Sequence, residues 1–234
     1  MEQPTVILGG YLSTSIVYRA MRDTLAEITG QPAYIVPILG HEWWWAGIPP
    51  GWAAILLKTE CTVRRAATAS PTGKVTLIGH SAGGVLSRLY LSPAPFLRHR
   101  YSGIEVVDHL ITLGSPHNNR GRFFRDGWMA RAVYRRYPGA YFAPQVRYTS
   151  VAGRSLRGEA GGSAKERWAH TCYRELCGDG EAWGDGLVPV PSALLEGSEQ
   201  IVLDGIAHYG GTWYGSPEII PLWWRPEQSM RAAA

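Results

Sequence analysis

Ser81 lies at the centre of the segment Gly79-His80-Ser81-Ala82-Gly83, which has the spacing G-x-S-x-G. In this pattern a sharp turn between a strand and a helix lifts the serine side chain above a sheet, and the glycines leave room for the neighbouring backbones. A serine hydroxyl raised in this way can attack a carbonyl carbon once a base removes its proton. The pattern therefore predicts that Ser81 is the nucleophile of an acyl-transfer reaction.

The residues on either side of Ser81 have the patterns of the two elements that this turn requires. Residues 74–78 form a short β-prone apolar run that ends at Gly79, as expected for a buried strand. Apolar residues then recur at helical spacing from Val85 to Tyr90, and Pro93 closes the element. The turn at Ser81 is therefore predicted to connect a buried strand to a helix.

A serine nucleophile needs an imidazole within hydrogen-bonding distance and a carboxylate that holds this imidazole in the correct tautomer. In folds built around such a turn, the chain order is serine, then acid, then histidine. Beyond the elements that flank the turn, the histidines are His117, His170 and His208. Only His208 follows the last predicted strand, in a short loop that can bring it back over the edge of the sheet. We therefore predict that His208 is the base.

Four carboxylates are candidates for the acid: Asp179, Glu181, Asp185 and Asp204. The first three lie in the segment before the last predicted strand, and Asp204 ends that strand. Asp204 is disfavoured because it is so close in sequence to His208. Spacing alone does not separate the other three.

Predicted strands alternate with predicted helices at βαβ spacing. The strands cover residues 5–8, 33–38, 74–79, 104–113, 146–151 and 200–203. The helices cover residues 13–29, 52–68, the segment after Ser81, and 125–137. On the first helix the predicted apolar face consists of Val17, Met21, Leu25 and Ile28. This order predicts an α/β fold with a mostly parallel sheet and helices on both faces.

Residues 118–145 are rich in arginine, glycine and aromatic residues, and we expect them to form a small cap excursion over the sheet. Gly158–Ser163 is expected to be a glycine-rich loop.

Five segments, taken in order, resemble the α/β-hydrolase superfamily, and in particular its lipases and GPI inositol-deacylase-like esterases. They are TVILGGY (5–11), GHSAGG (79–84), LITLGSPH (110–117), GDGLVP (184–189) and AH (207–208). The resemblance extends from Thr5 to Gly211. It implies a single α/β-hydrolase domain over residues 1–234 and a serine esterase with a Ser-Asp-His triad.

The resemblance also implies roles for individual residues. Related lipases carry their acid in a segment like Gly184-Asp185-Gly186 followed by Val-Pro, which favours Asp185. Acyl transfer needs donors for the developing oxyanion, and the backbone N–H of Ala82, next after the nucleophile, is one of them. By resemblance the second donor is the backbone N–H of Tyr11, in the loop after the first strand. Gly9 stands where many lipases have histidine.

Composition and charge limit the classes of function. The chain has 234 residues, of which 45% are hydrophobic and 18% charged, as in an ordinary globular protein that buries a substantial core. The net charge is +4, and the lysines and arginines are scattered along the chain, which argues against a nucleic-acid partner. The loop after the first strand contains neither G-x-G-x-x-G nor a P-loop, which argues against a nucleotide-binding protein.

The cysteines and the N-terminal sequence predict the environment of the protein. Cys61, Cys172 and Cys177 are too few for a disulfide framework and lack metal-ligand spacing, so we expect reduced thiols, no metal and no cofactor. The alternative is a bridge between Cys172 and Cys177. The sequence MEQP leads directly into an apolar strand and does not resemble a signal peptide. No apolar run approaches the ~20 residues of a membrane span, so we expect a cytoplasmic protein.

Trp43, Trp44 and Trp45 follow the carboxyl end of a predicted strand, the edge where ligands bind in open α/β sheets. They are expected to form the wall of an apolar acyl pocket or to make transient contact with a membrane surface, as indoles do at membrane interfaces. The alternative is that they pack beneath residues 118–145. His117 either lines the same site or is structural.

Together these observations predict a serine hydrolase that cleaves carboxylic esters of lipid-like or other acyl groups, with no obligate protein partner. An acyltransferase and a thioesterase remain alternatives because the same triad serves both reactions. A non-catalytic binding protein with the same fold would usually have lost a member of the triad, whereas all three residue types are present here.

Overall fold

The computed structural model describes residues 2–118 and 127–224, and at its centre is a six-stranded sheet in which every pairing is parallel. The strands of the sheet are β1 (Thr5–Leu8), β2 (Ala33–Ile35), β3 (Val75–His80), β4 (Val107–Leu113), β5 (Arg147–Arg154) and β8 (Glu199–Asp204). Their order across the sheet is β2-β1-β3-β4-β5-β8. A separate antiparallel pair is formed by β6 (Leu156–Arg157) and β7 (Trp183–Gly184).

Helices cover both faces of this sheet. They are α1 (Arg19–Thr29), α2 (Pro49–Thr68), α3 (Ala82–Leu91), α4 (Gly127–Arg136), α5 (Ala164–Cys177), α6 (Val190–Ala193) and α7 (Ile220–Trp223). Because successive side chains of a strand point to opposite faces, Val6 and Leu8 belong to the hydrophobic cluster that contains α2, α3 and α4, whereas Ile7 belongs to the cluster that contains α1 and α7. No helix among the described residues is long and apolar enough to cross a membrane.

The first helix differs from its predicted register. A 3₁₀ turn, Ser15–Tyr18, precedes α1, and the buried residues are Tyr18, Met21 and Leu25. Val17 and Ile28, which were predicted to lie on the apolar face, are exposed. A 3₁₀ turn has three residues per turn instead of 3.6, so it rotates the side chains before α1 out of the predicted register. This rotation brings Tyr18 inward, towards the loop after β1.

The helix predicted at 125–137 is present as α4, but it does not lie apart from the core. Met129, Ala130 and Val133 are buried in the same cluster as α3. Residues 119–126 of the predicted excursion lie outside the described residues. Helix α5 was not predicted, although Ser163 and Glu166 form a capping box at its N-terminus, which is a recognisable signal in sequence. In this helix neither Cys172 nor Cys177 forms a disulfide.

Candidate active site

Ser81 occupies a strained turn between β3 and α3. Its backbone has φ 54° and ψ −128°, a conformation that costs energy for any residue with a side chain. The backbone N–H of Ser81 donates to the carbonyl of Leu113 at 2.9 Å, which ties the turn to the end of β4. A Cβ at Gly83 would lie only 2.3 Å from the carbonyl oxygen of Leu8, so the start of α3 touches the end of β1 directly. The turn therefore requires glycine at this position, as the motif predicts.

The structure brings Ser81, His208 and Asp185 together. Nε2 of His208 lies 3.0 Å from Oγ of Ser81, and Nδ1 of His208 lies 2.7 Å from Oδ2 of Asp185. All three side chains are buried, with 6% of Ser81 and 3% each of His208 and Asp185 exposed. His208 reaches this position from the loop after β8, and its backbone N–H donates to the carbonyl of Asp185 at 2.8 Å.

The Asp185 carboxylate accepts hydrogen bonds on both oxygens. The backbone N–H groups of Leu187 and Val188 donate to Oδ1 at 3.0 and 2.7 Å. The hydroxyl of Tyr214 donates to Oδ2 at 2.8 Å, beside the bond from His208. Hydrogen bonds to the charged form stabilise a carboxylate that is otherwise removed from water. The carboxylate is therefore held in one orientation towards His208.

The other three carboxylates that the sequence left as candidates lie elsewhere. Asp204 is exposed and forms an ion pair with Arg154, with bonds of 2.5 and 3.0 Å to its two oxygens. Glu181 pairs with Arg157 at 3.0 Å, and Asp179 accepts the backbone N–H of Glu181 at 2.9 Å. Each is engaged with a partner other than His208.

One of the two backbone groups predicted to bind an oxyanion belongs to the residue after Ser81, and the other to the loop after β1. Ala82 is the first residue of α3, where no carbonyl one turn earlier is available to accept its N–H. The loop after β1 lies against Ser81, since a Cβ at Gly10 would be 2.6 Å from Cβ of Ser81. The N–H of Gly10 itself donates to the hydroxyl of Tyr18 at 2.9 Å. In this loop the N–H of Gly10 is thus already used within the protein, and the role of Tyr11 stays a prediction.

Tyr18 and His80 anchor this loop, and neither was identified from the sequence. The Tyr18 hydroxyl lies 2.8 Å from Nδ1 of His80 and 3.1 Å from Oγ of Ser13, which in turn donates to the carbonyl of Gly10 at 2.6 Å. Burial raises the pKa of Tyr18 to about 12, so its hydroxyl keeps its proton. Position 80 precedes the nucleophile, which was a signal that His80 lies near the site, but its contact with Tyr18 is formed only in the folded protein.

Two aromatic rings pack against the base. The His80 ring lies 4.8 Å from the His208 ring between centroids, and the Tyr209 ring lies 4.5 Å from the His208 ring in an edge-on contact. Burial, followed by the nearby charge that His208 carries when protonated, holds the pKa of His80 well below its ordinary value. His80 is therefore neutral beside His208. Tyr209 is partly exposed and lies at the open side of the site.

The structure separates the three consecutive tryptophans. Trp43 is fully buried in the core and packs edge-on against Tyr11 at 6.0 Å between ring centroids. Trp44 and Trp45 are 67% and 66% exposed, on a 3₁₀ segment, Gly40–Gly47. Trp43 is therefore a residue of the core, whereas the side chains of Trp44 and Trp45 are mostly exposed.

His117 is enclosed instead of lining an open surface. Its Nε2 lies 3.0 Å from Oγ1 of Thr112, and its Nδ1 lies 3.3 Å from the guanidinium of Arg88 on α3. The side chain is fully buried, and burial, followed by the charge of Arg88, holds its pKa well below the ordinary value. The structural alternative therefore describes His117 better than a role in contacting substrate. Among the described residues, no cluster of three histidine, cysteine or acidic side chains could hold a metal ion.

The sheet order, the covering helices and the strand-to-helix turn at Ser81 define the α/β-hydrolase fold, as the sequence predicted. A family model described as the PGAP1-like alpha/beta domain matches residues 56–137, a range that includes Ser81. A protein assigned as a cell surface hydrolase from Lactobacillus plantarum WCFS1 has a similar structure. The TM-score is 0.51 at 12% identity, and the similarity covers 94% of this chain and 89% of that chain.

Two further solved structures have lower scores. A lipase-esterase related protein from Clostridium acetobutylicum ATCC 824 has a TM-score of 0.48 and 11% identity, covering 95% of this chain and 94% of that chain. A pyrethroid hydrolase from Sphingobium faniae JZ-2 has a TM-score of 0.36 and 20% identity, covering 51% of this chain and 42% of that chain. This chain thus spans less than half the length of the pyrethroid hydrolase. No curated protein matches the sequence.

Proposed function

We propose that the protein is a serine hydrolase that cleaves carboxylic esters through an acyl-enzyme. The observation that supports this proposal is the continuous chain of hydrogen bonds from Ser81 through His208 to Asp185, with distances of 3.0 and 2.7 Å in a buried site. Three side chains from distant segments, aligned in this order beside a strained serine turn, match the requirements of an activated nucleophile.

In the first half of the reaction, Oγ of Ser81 attacks the ester carbonyl. Asp185 accepts a hydrogen bond from Nδ1–H of His208, so Nδ1 keeps its proton and Nε2 carries the lone pair that takes the proton from Ser81. The negative charge that develops on the carbonyl oxygen is stabilised by the backbone N–H groups of Ala82 and Tyr11. His208 then gives its proton to the departing alcohol, and the acyl group remains as an ester of Ser81.

In the second half, a water molecule replaces the alcohol. His208 removes a proton from this water, the resulting hydroxide attacks the acyl carbonyl, and Ser81 leaves with the proton that His208 returns. The buried and mostly aromatic surroundings of His208 strengthen these electrostatic interactions, because little water competes with them.

The substrate class we propose is an ester with an apolar acyl group, either a small molecule or a lipid. Trp44 and Trp45 support this choice, since two indoles with most of their surface exposed offer an apolar wall to a chain that extends beyond the serine. The same two indoles would make the transient contact with a membrane surface that a lipid ester requires.

A fluorophosphonate probe tests the proposal directly. Such a reagent mimics an ester and forms a covalent adduct only with an activated serine. We expect labelling of the native protein at Ser81, and none in Ser81→Ala or in protein heated beforehand. If the native protein is not labelled, or Ser81→Ala is labelled equally, the proposal is wrong. Assays with p-nitrophenyl esters of graded length, beside a thioester and a phospholipid, would then define the acyl group and the leaving group.

A further inference from the structure

Tyr214 is a fully buried tyrosine whose hydroxyl is shared between a backbone group and the carboxylate of Asp185. The backbone N–H of Gly153, at the end of β5, donates to this hydroxyl at 2.7 Å. The hydroxyl lies 2.8 Å from Oδ2 of Asp185. A backbone N–H can only donate, so the single proton of the phenol is left for the carboxylate. Burial, followed by the charge of Asp185, raises the pKa of Tyr214 well above its ordinary value, and the phenol stays protonated.

The backbone around Tyr214 and Asp185 leaves no room for a side chain at Gly114 or Gly153. A Cβ at Gly114 would lie 2.7 Å from Oδ2 of Asp185 and 2.8 Å from the Tyr214 hydroxyl. A Cβ at Gly153 would lie 2.9 Å from the same hydroxyl. On the other side, Nε1 of Trp223 donates to the carbonyl of Tyr214 at 2.9 Å. The strand ends and α7 thus hold Tyr214 in one position.

With this hydroxyl included, the Asp185 carboxylate has a full set of four donors. Two are backbone N–H groups on Oδ1, and two are side chains, Tyr214 and His208, on Oδ2. A carboxylate offers about four lone-pair positions, so this arrangement satisfies it completely. Without the Tyr214 donor, the negative charge of the Asp185 carboxylate would interact more strongly with His208.

Building on the proposed function, we propose that Tyr214 is a positioning residue that orients the Asp185 carboxylate and shares its charge, and so sets the basicity of His208. Without the hydroxyl, the carboxylate would attract the imidazolium form of His208 more strongly. His208 would then keep its proton to a higher pH and would be unable to act as a base there.

Other titratable groups lie near Asp185 and His208, and their effects on the pH dependence must be separated from that of Tyr214. Tyr173 and Cys172 of α5 lie near Asp185, and burial is the main reason that their pKa values are raised. His80 and Tyr209 face His208. Of these, Tyr173 is the best comparison with Tyr214. Its hydroxyl accepts the backbone N–H of Gly186 at 2.8 Å and donates to a backbone carbonyl, that of Leu156 at 3.2 Å.

The test compares Tyr214→Phe with Tyr173→Phe. Each variant removes one buried hydroxyl and leaves one backbone N–H near Asp185 without its acceptor, but only Tyr214→Phe removes a donor to the carboxylate. For Tyr214→Phe we expect kcat to fall by roughly tenfold, the scale of one hydrogen bond to a charged group, with KM nearly unchanged. The acid limb of the kcat/KM profile should move to higher pH by on the order of half a unit. Tyr173→Phe should leave this limb in place.

The inference is overturned if Tyr214→Phe leaves the acid limb where it is in the wild type, or if Tyr173→Phe moves it equally. A second measurement does not require the Tyr214→Phe variant to fold. The hydroxyl proton of Tyr214 should give a slowly exchanging, downfield NMR signal in the wild type that shifts in Asp185→Asn, and an unchanged signal would also overturn the inference. If the wild type itself neither hydrolyses esters nor reacts with a fluorophosphonate, the proposed function is wrong. The NMR experiment still tests the hydrogen bond between Tyr214 and Asp185 in that case.

Discussion

His80 and His208 lie with their ring centroids 4.8 Å apart, although one precedes the serine turn and the other follows the last strand. His80 extends away from Ser81 to Tyr18, which also accepts the N–H of Gly10. Through this contact the loop after β1, the serine turn and the base form one buried unit. We expect the oxyanion donors to depend on this unit as much as the triad depends on Asp185.

Tyr18→Phe tests the anchoring of that loop. Without the hydroxyl, Gly10 and His80 both lose a hydrogen-bonding partner, and the loop that carries Tyr11 is held less precisely. We expect kcat to fall on the order of tenfold while KM changes little, because oxyanion donors act mainly in the transition state. Steady-state kinetics with a p-nitrophenyl ester provide the measurement.

Tyr101→Phe is the matched control for this variant. Tyr101 is also buried, and its hydroxyl donates to the carbonyl of Ala53 at 3.3 Å, in helix α2. This variant should lose stability comparably but keep its kcat. Equal losses of kcat in the two variants would mean that Tyr18 acts through general stability alone.

Asp185→Asn tests the assignment of the acid. An amide cannot stabilise the imidazolium of His208 and favours the wrong tautomer, so kcat should fall by about 10⁴ with the fold intact. Circular dichroism and Tm would check the fold. The surface carboxylates provide controls, since Asp179→Asn, Glu181→Gln and Asp204→Asn should stay within a few-fold of the wild type. An active Asp185→Asn beside an inactive Asp204→Asn would refute the assignment.

Trp44→Ala tests the acyl wall. Because Trp44 is mostly exposed, its removal should leave Tm nearly unchanged. Turnover of long-chain esters should fall more than turnover of acetate esters, since only a long chain reaches an extended apolar surface. Trp43→Ala serves as the contrast, because deletion of this fully buried indole should cost about 3–5 kcal/mol of stability. If Trp44→Ala loses turnover equally for long-chain and acetate esters, Trp44 is not part of the acyl site.

Stability should fall with decreasing pH because of three buried histidines. Burial holds the pKa values of His80, His109 and His117 well below their ordinary value. Below about pH 6.5 the unfolded chain protonates these side chains and the native protein does not, so the unfolded state binds more protons. The free energy of unfolding should therefore decrease as pH falls through this range, by up to ~1.4 kcal/mol per pH unit for each histidine.

Urea unfolding at neutral pH and at about pH 5 measures this slope. His117→Gln should reduce it by about one third, because one of the three buried imidazoles with a lowered pKa is gone. His41→Gln, a change at an exposed position, should leave the slope as it is in the wild type. A slope that does not respond to His117→Gln would show that this histidine does not contribute.

The sequence alone determined the elements whose signals are local. The strand Thr5–Leu8 has the predicted bounds, and the serine turn lies between β3 and α3 as the motif requires. The parallel sheet with helices on both faces followed from the alternation of the elements, and it is confirmed by the fold. These features are readable because apolar periodicity and turn residues act within a few positions of one another.

Only the tertiary structure decided which side chains meet. Asp185 could not be separated from its neighbours by spacing, and it is set apart because side-chain donors from two later segments, His208 and Tyr214, join two local backbone donors on its carboxylate. Tyr214 belongs to no motif, and Trp43 differs from Trp44 and Trp45 only in the direction that a 3₁₀ turn gives it. Burial and hydrogen bonding depend on residues far apart in the chain, and for that reason no local pattern records them.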